Sequence, residues 1–185
     1  MFYHIINEDL QLEVLQEKHE EALFQLTDSS REYLGEWLPW VPYTKTVDDT
    51  KSFIRSTLKS FGEQKSLSCA IIFKGEIAGI VAYHEIDRAN EKTSIGYWLG
   101  EKFQGYGIMT KAVEALVYYA FEELKLNRIE IHAGLENKKS RDIPRRLSFQ
   151  EEGVLRQAEK VGNRYVDHVV YSLLKEEWVS LLNSR

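Results

Sequence analysis

The sequence is poor in the residues that crosslink, break or loosen a chain: it has one cysteine, three prolines and eleven glycines in 185 residues. The single cysteine, Cys69, excludes an intrachain disulfide and indicates a reducing compartment. The low proline and glycine content argues against long disordered tracts. No apolar run approaches the ~20 residues that span a bilayer, and residues 1–4 lack the basic and apolar regions of a signal peptide. We therefore expect a soluble cytoplasmic protein without membrane association.

Positive charge is also scarce. The 24 lysines and arginines are outnumbered by 29 aspartates and glutamates, which leaves a net charge of -5, so no global field attracts nucleic acid. Apolar side chains are abundant: 43% of the residues are hydrophobic and 12% are aromatic, enough to fill a sizeable core. Because no repeat, low-complexity stretch or flexible linker divides the chain, residues 1–185 are predicted to form one domain.

Apolar periodicity predicts seven strands and four helices. The predicted strands are about residues 10–15, 67–73, 77–84, 93–99, 128–133, 149–160 and 165–174. The predicted helices are residues 19–26, residues 48–61, a long helix that begins near residue 109, and residues 138–147. This order of elements predicts an α/β or α+β fold, in which helices pack on a mixed sheet.

The long helix has the clearest pattern in the chain. Its apolar residues recur every three or four positions and form one continuous stripe. They are Met109, Ala112, Val113, Leu116, Val117, Ala120, Phe121 and Leu124. We expect this stripe to face the core.

A glycine-rich segment precedes this helix and runs from strand to turn to helix over residues 95–110. Such a turn leaves the first backbone N–H groups of the helix unpaired at the positive end of its dipole, where a pyrophosphate fits. A Walker loop would need Lys-Ser/Thr after Gly105, where Tyr106-Gly107 stands, and a dinucleotide fingerprint would need glycine or alanine in place of Thr110. An ordinary left-handed turn before a core helix remains the alternative.

The pattern Gln104-x-x-Gly107-x-Met109 resembles the acetyl-CoA loop of the GNAT superfamily of N-acetyltransferases, whose form is Gln/Arg-x-x-Gly-x-Gly/Ala. Gln104 and Gly107 match this form, and Met109 departs from it because it is larger than the usual last residue. Five further segments resemble the RimJ/RimL-type branch, which acetylates protein N-termini, including those of ribosomal proteins. They are Ile129–Ala133, Asn137-Lys138-Lys139-Ser140, Leu147-Ser148-Phe149, Glu152-Gly153 and Tyr165-Val166-Asp167.

The likeness extends from about Gln11 to Trp178. Ser148 replaces the glycine that is usual before the phenylalanine, and we expect only a local difference in packing there. The resemblance implies a GNAT fold: a central mixed, mostly antiparallel sheet of about seven strands, flanked by helices, whose parallel middle strands splay apart.

The resemblance also implies acetyl-CoA as a cosubstrate, held between residues 95–99 and 128–133. The implied cofactor contacts are Tyr97, Trp98, Leu99, Gln104, Gly105, Tyr106, Gly107, Ile108, Met109, Thr110, Asn137 and Ser140. Residues 97–99 would contact the coenzyme through their main chain, and one N–H would polarise the acetyl carbonyl. Core packing is the alternative role for the Tyr97 and Leu99 side chains.

The implied reaction is direct attack of a primary amine on the thioester in a ternary complex, with a protein N-terminal α-amine as the expected acceptor. An α-amine has a pKa of about 7.7–8.0, so roughly a tenth is neutral at pH 7 and a modest base suffices. By resemblance, Glu159 is the base and Ser140 is the acid that protonates the departing sulfur. The alternatives are that Glu159 is a solvated strand residue and that Ser140 caps a helix.

Five basic side chains cluster in the last predicted helix. They are Lys138, Lys139, Arg141, Arg145 and Arg146. A nucleic-acid patch would have interleaved aromatic residues, so we favour a site for the coenzyme's phosphates that uses one or two of these side chains. Pro144 is expected to kink this helix or to delay its start.

Trp37 and Trp40 lie in a proline-broken loop and are the predicted acceptor contacts, because rigid aromatics give contact area at low entropic cost. A core plug under the loop is the alternative. The five histidines show no metal spacing, so no metal is predicted, and His132 and His168 are expected to be buried structural residues. Cys69 lies in an apolar strand and is expected to be inert.

Two other functions remain open. The chain could acetylate a small amine such as a polyamine or an antibiotic, or it could bind acetyl-CoA without turnover. The apolar final strands favour a homodimer.

Overall fold

A computed structural model describes residues 3–184. The strands are β1 (Tyr3–Asn7), β2 (Leu10–Val14), β3 (Leu67–Phe73), β4 (Glu76–Asp87), β5 (Lys92–Leu99), β6 (Arg128–Gly134), β7 (Gln150–Val161) and β8 (Arg164–Leu174). The helices are α1 (Glu20–Ser29), α2 (Arg31–Gly35), α3 (Val47–Gly62), α4 (Ile108–Glu122), α5 (Lys138–Arg146) and α6 (Lys175–Asn183). Among residues 3–184, no helix is long and apolar enough to cross a membrane.

The strands form one sheet in the order β1-β2-β3-β4-β5-β6-β8-β7. Every neighbouring pair is antiparallel except β5 and β6. A mixed, mostly antiparallel sheet with a parallel middle pair is therefore confirmed. The predicted number of about seven strands was one too low, since β1 adds an eighth. That residues 1–185 form a single domain stays a prediction.

The two parallel strands part along their length. β5 and β6 pair at Lys92 with Arg128, Thr93 with Ile129, and Ser94 with Glu130. β5 continues to Leu99 and β6 to Gly134 without further pairing. The backbone N–H and C=O groups that face the gap beyond Ser94 are therefore not paired between the two strands and can bind a ligand, as at a sheet edge.

α4 packs on the face of the sheet that carries the larger core. Its apolar stripe from Met109 to Phe121 is buried as predicted, and Leu124 is partly buried. A smaller core lies on the other face of the sheet, under α1 and α3, and includes Leu23 of α1 and Ile54 of α3. Each such side chain stabilises the fold by about 1.5–3 kcal/mol when fully buried.

The predicted boundaries were close for most elements, and three short elements, β1, α2 and α6, were missed. β1 is a five-residue edge strand, and α6 is a nine-residue helix whose start is fixed by the Glu177 carboxylate, which accepts from the Leu174 N–H at 2.8 Å. Ala22, which the helical spacing placed with Leu23, is exposed.

Two backbone features correct the sequence interpretation. Ser148 has a φ of 62°, in the left-handed region that favours glycine. The glycine usual at this position is therefore replaced at a cost in backbone conformation, not in packing as expected. Pro144 lies inside α5 without delaying the start of that helix, which begins at Lys138 as predicted.

Candidate active site

The turn before α4 has the backbone of an anion site. Gly105 has a φ of 84° and Gly107 a φ of 69°, conformations that cost other residues energy. A Cβ at either position would meet open space, so the backbone conformation, not crowding, requires glycine. Gly107 is the N-cap of α4 and supplies no side-chain cap. The first N–H groups of the helix are thus free to bind an anion.

A cleft of about 820 Å³ opens at this turn and reaches the gap between β5 and β6. It is lined by Tyr33, Leu34, Trp37, Leu38, Tyr97, Trp98, Leu99, Phe103, Gln104, Gly105, Gly107, Ile108, Met109, Thr110, Lys111, Asn137, Lys139, Ser140, Asp142, Ile143 and Arg146. All the predicted cofactor contacts are among them except Tyr106, whose exposed ring lies 5.6 Å from that of Phe73. Their contact with a coenzyme stays a prediction.

A hydrogen bond from Tyr97 joins the two elements on either side of the cleft, β5 and α5. The Tyr97 hydroxyl donates to the Ser140 carbonyl at 2.9 Å. That carbonyl would normally accept from the N–H four residues on, but residue 144 is a proline and has none. Pro144 therefore leaves a carbonyl that Tyr97 satisfies, and this bond fixes the position of Ser140. Burial raises the pKa of Tyr97, so its hydroxyl remains a donor at neutral pH.

The cap of α5 is Asn137 and not Ser140. The Asn137 side chain accepts from the Ser140 N–H at 3.1 Å. The capping alternative for Ser140 is therefore wrong. Ser140 stands in the first turn of α5 and lines the cleft. Its role as an acid stays a prediction.

Four of the five side chains of the basic cluster of α5 divide into two groups. Lys139 and Arg146 line the cleft, and Lys139 also donates to the Gln104 side chain at 2.7 Å and lies over the Tyr33 ring. Arg141 and Arg145 point elsewhere: both pair with Glu151, and Arg141 also donates to the Tyr171 hydroxyl and the Leu135 carbonyl. Only part of the cluster can meet a ligand in the cleft.

The sheet face away from α4, which we name the distal face, carries Glu159. Glu159 does not line the cleft. Its Oε2 lies 3.2 Å from Nε2 of His168 on β8. His168 is paired in register with Gly134 of β6, so Glu159 stands beside the end of a gap-forming strand. Paired residues share a face, and Ser140 lies on α5, so the two predicted catalytic residues approach the gap from different walls.

The predicted tryptophans flank the gap on the distal face. Trp37 lines the cleft, lies against Gly134, and carries the Arg164 guanidinium 5.3 Å from its ring centre. Trp40 does not line the cleft, and its ring packs 5.7 Å from that of Trp98. Packing beneath the loop, the alternative to acceptor contact, therefore describes Trp40 better than Trp37.

A chain of charged groups supports the distal face. Arg128 binds Glu152 with two hydrogen bonds of 2.8 and 2.7 Å and binds Glu130 at 2.8 Å. Glu130 in turn lies 2.9 Å from Nε2 of His132. Burial alone would raise the pKa of Glu130, but the bonds to Arg128 and His132 outweigh burial and lower it. The bidentate Arg128 lowers the pKa of Glu152 to about 2.

One histidine prediction was wrong and one histidine was overlooked. His132 is exposed and is not a buried residue, whereas the side chain of His168 is only 18% exposed. Alternation along β6 puts His132 on the face opposite Ile131 and Ala133 and could have shown this. His84, on β4, carried no signal in the sequence. Burial raises the pKa of the Cys69 thiol to about 12, which agrees with an inert residue.

Sequence reasoning also missed several cleft-lining residues. Tyr33 and Leu34 of α2, Phe103, Lys111 of α4, and Asp142 of α5 belong to this group. No local motif marks α2, because folding alone brings it over the loop. No group of three or more His, Cys, Asp or Glu side chains among the described residues is placed to hold a metal ion.

Comparison with known proteins gives a consistent result. A family model described as "Acetyltransferase (GNAT) domain" matches residues 9–150. The candidate ribosomal N-acetyltransferase YdaF of Bacillus subtilis (strain 168) is 36% identical over 179 residues, which are 96% of this chain and 98% of that protein.

Two similar solved structures contain ligands. RimL, a ribosomal L7/L12 α-N-protein acetyltransferase solved with coenzyme A, superposes with a TM-score of 0.91 at 27% identity over 95% of this chain and 99% of that one. The microcin C7 self-immunity acetyltransferase MccE, solved with acetyl-CoA and AMP, gives a TM-score of 0.87 at 32% identity over 91% of this chain and 94% of that one.

Proposed function

The chain belongs to the GNAT acetyltransferase family, and from that premise we propose that this N-acetyltransferase moves an acetyl group from acetyl-CoA to the α-amine of a protein N-terminus. The observation that carries the proposal is the cleft that joins the free N-terminus of α4 to the gap between β5 and β6. RimL, which this fold matches over nearly its whole length, binds coenzyme A and is named for a ribosomal-protein substrate.

The coenzyme fits the α4 side of the cleft by its chemistry. Its diphosphate would accept hydrogen bonds from the N–H groups of Ile108, Met109 and Thr110, aided by the helix dipole. Lys139 and Arg146 would add cationic contacts to phosphate oxygens. The unpaired backbone beyond Ser94 would bind the amides of the pantetheine arm and lead the thioester into the gap.

Each side of the gap would supply one group for proton transfer. The neutral amine attacks the acetyl carbonyl carbon, the C–S bond breaks, and the sulfur leaves with the electron pair. Glu159, held by His168, would take the proton from the amine nitrogen, and Ser140 would give a proton to the sulfur. The Glu159 carboxylate beside the gap suits this acceptor, because an N-terminus arrives mainly as an ammonium group.

One observation favours a second acceptor. MccE, which is 32% identical to this chain, was solved with AMP as well as acetyl-CoA. A small amine attached to a nucleotide is therefore the alternative acceptor. Trp37, which lines the cleft, would contact such a ligand.

A module that binds acetyl-CoA without turnover would give coenzyme binding and no product.

The decisive experiment measures coenzyme A release with acetyl-CoA and a panel of N-terminal peptides, polyamines and aminoacyl nucleotides. We expect turnover with at least one peptide, and mass spectrometry should place the acetyl group on its α-amine. Glu159→Gln and Ser140→Ala should each lower kcat by roughly 10²–10³-fold. Glu8→Gln, an exposed glutamate in the β1–β2 turn, and Ser56→Ala on α3 serve as matched controls. Full activity of Glu159→Gln would remove the base assignment.

The assembly and location of the protein are also proposals. The edge of β7 exposes Val154 and Leu155, and we propose this edge as the surface of the expected homodimer. Light scattering measures the mass directly. The expected cytoplasmic location stays a prediction from the single cysteine.

A further inference from the structure

Three imidazoles lie on the distal face, on strands to either side of the gap. They belong to His84 of β4, His132 of β6 and His168 of β8, and they come from parts of the chain up to 84 residues apart. Ala82 pairs with Gly96, Ser94 with Glu130, and His132 with Val170. Because residues two apart on a strand share a face, this register puts all three rings on the side of the sheet that bears Glu159.

The ring of His84 occupies the space that a side chain at residue 96 would fill. A Cβ at Gly96 would lie 2.0 Å from Nε2 and 2.6 Å from Cε1 of His84, so a side chain at residue 96 would displace the imidazole from its place over β5. Gly96 belongs to the part of β5 that has left β6. Nε2 of His84 therefore lies over the β5 side of the gap, and His84 is exposed to solvent.

The surroundings of His84 favour the neutral form of its ring. Desolvation lowers its pKa, the neighbouring His132 lowers it further, and Glu159 partly offsets both. Among residues 3–184, these two are the titratable groups whose charge acts on His84. Glu130 holds His132 in turn, and His168 holds Glu159. A neutral imidazole can accept a proton at pH 7.

We propose that His84 is the outlet through which the proton lost by the acceptor amine reaches solvent. The inference rests on the proposed function. The amine proton passes to the Glu159 carboxylate, and Glu159 passes it through water to the neutral His84 ring. The resulting imidazolium releases the proton to solvent, which restores both groups. The sulfur receives a separate proton through Ser140, so protons balance.

The kinetic test compares His84→Ala with the wild-type protein on the best acceptor. We expect kcat at pH 6.5 to fall about tenfold, less than the roughly 10²–10⁴-fold of a direct acid–base group. Added imidazole should restore activity of the variant, with saturation, and leave the wild type unchanged. A structural defect would not respond to imidazole. His4→Ala, on the opposite edge of the sheet, is the matched control.

A second test needs no acceptor. NMR titration of the imidazole signals should show the pKa of His84 rising in His132→Gln, which removes a like charge, and falling in Glu159→Gln, which removes an opposite charge. Gly96→Ala should displace the ring and give the same kinetic defect as His84→Ala. Unchanged His84 titration in both variants would overturn the proposed cluster.

The outcomes separate this inference from the proposed function. If wild-type protein acetylates no amine, the proposed function fails. If the wild type is active and His84→Ala keeps full kcat, or loses activity that imidazole cannot restore, the outlet is overturned while the transferase stands. Calorimetry with coenzyme A should give equal affinity for the wild type and His84→Ala, since His84 does not line the cleft.

Discussion

The two sides of the gap between β5 and β6 are built in opposite ways. The side toward α4 comes mainly from two short stretches, residues 97–110 and 137–146, and is fixed by backbone conformation, a helix cap and the Tyr97 hydroxyl. The distal face takes its polar groups from β4, β6, β7 and β8 and is fixed by charged pairs. One side is therefore local in sequence and insensitive to pH, whereas the other is dispersed and electrostatic.

The largest effect should come from breaking the backbone of the α4 side. Gly107→Val forces a β-branched residue into a φ of 69° and costs about 1–3 kcal/mol. We expect coenzyme A affinity, measured by calorimetry, to fall roughly tenfold or more, since 1.4 kcal/mol is a factor of ten.

The control for this change is Gly75→Val in the β3–β4 turn. Gly75 has a φ of 82° and open space around its Cα, as Gly107 does, but it lies outside the cleft. It should lower stability and leave coenzyme affinity unchanged. Equal loss of affinity in the two variants would contradict the assignment of the α4 turn.

A smaller effect should follow from removing the bond between the walls. Tyr97→Phe leaves the Ser140 carbonyl without the partner that Pro144 cannot supply, at a cost of about 1–3 kcal/mol in the free energy of unfolding. The loss should be constant from pH 5 to 8, because burial raises the pKa of Tyr97 and its hydroxyl stays protonated.

Tyr83→Phe is the matched control for this variant, because the Tyr83 hydroxyl donates to the Leu116 carbonyl in the core. Denaturant unfolding should show that both variants are destabilised. Only Tyr97→Phe should also lower kcat, since only Tyr97 positions Ser140. Equal kcat in the two would mean that the Ser140 position is fixed in another way.

The smallest effect should appear on the distal face, and it should depend on pH. Glu152→Gln breaks the bidentate pair with Arg128. Because the carboxylate is partly exposed, we expect a loss below about 1 kcal/mol at pH 7. The folded-state pKa is about 2, below the usual 4.5. The stabilisation is therefore full above pH 4.5 and disappears as the pH falls toward 2.

Thermal unfolding between pH 2 and 8 measures this difference. The wild type and Glu152→Gln should converge at the acid end, whereas the wild type and Tyr97→Phe should stay apart from pH 5 to 8. Glu8→Gln, in an exposed turn, should follow the wild type throughout. A gap between the wild type and Glu152→Gln that persists near pH 2 would show that the pair acts by packing instead of charge.

The sequence predicted most of the fold because its strongest patterns are local. The stripe of α4 is a periodicity that one helix must bury, and the hairpin of β3 and β4 has a turn with Lys74 and Gly75 at positive φ. β1, with five residues, and α6, with nine, were not predicted because such short segments show too little periodicity. Their structure depends on the elements that they pack against.

The candidate site shows the same division. The motif around Gln104 and Gly107 is contiguous, so its place at the α4 turn followed from the order of residues. The cap at Asn137 and the bond from Tyr97 to Ser140 could not be predicted, since each depends on two elements in contact. The exposure of His132 could have been predicted from strand alternation, but its place on the same face of the sheet as His84 could not.

The amino-acid sequence by itself determined the helix stripe, the glycines at positive φ and the family to which the chain belongs, because each depends on neighbours a few positions apart. Only the tertiary structure decided that β5 and β6 part after Ser94, that the Tyr97 hydroxyl donates to the Ser140 carbonyl that Pro144 leaves unpaired, and that His84 lies over Gly96 on the same face of the sheet as Glu159. Those relations join residues tens of positions apart, and sheet register, which no local pattern encodes, brings them together.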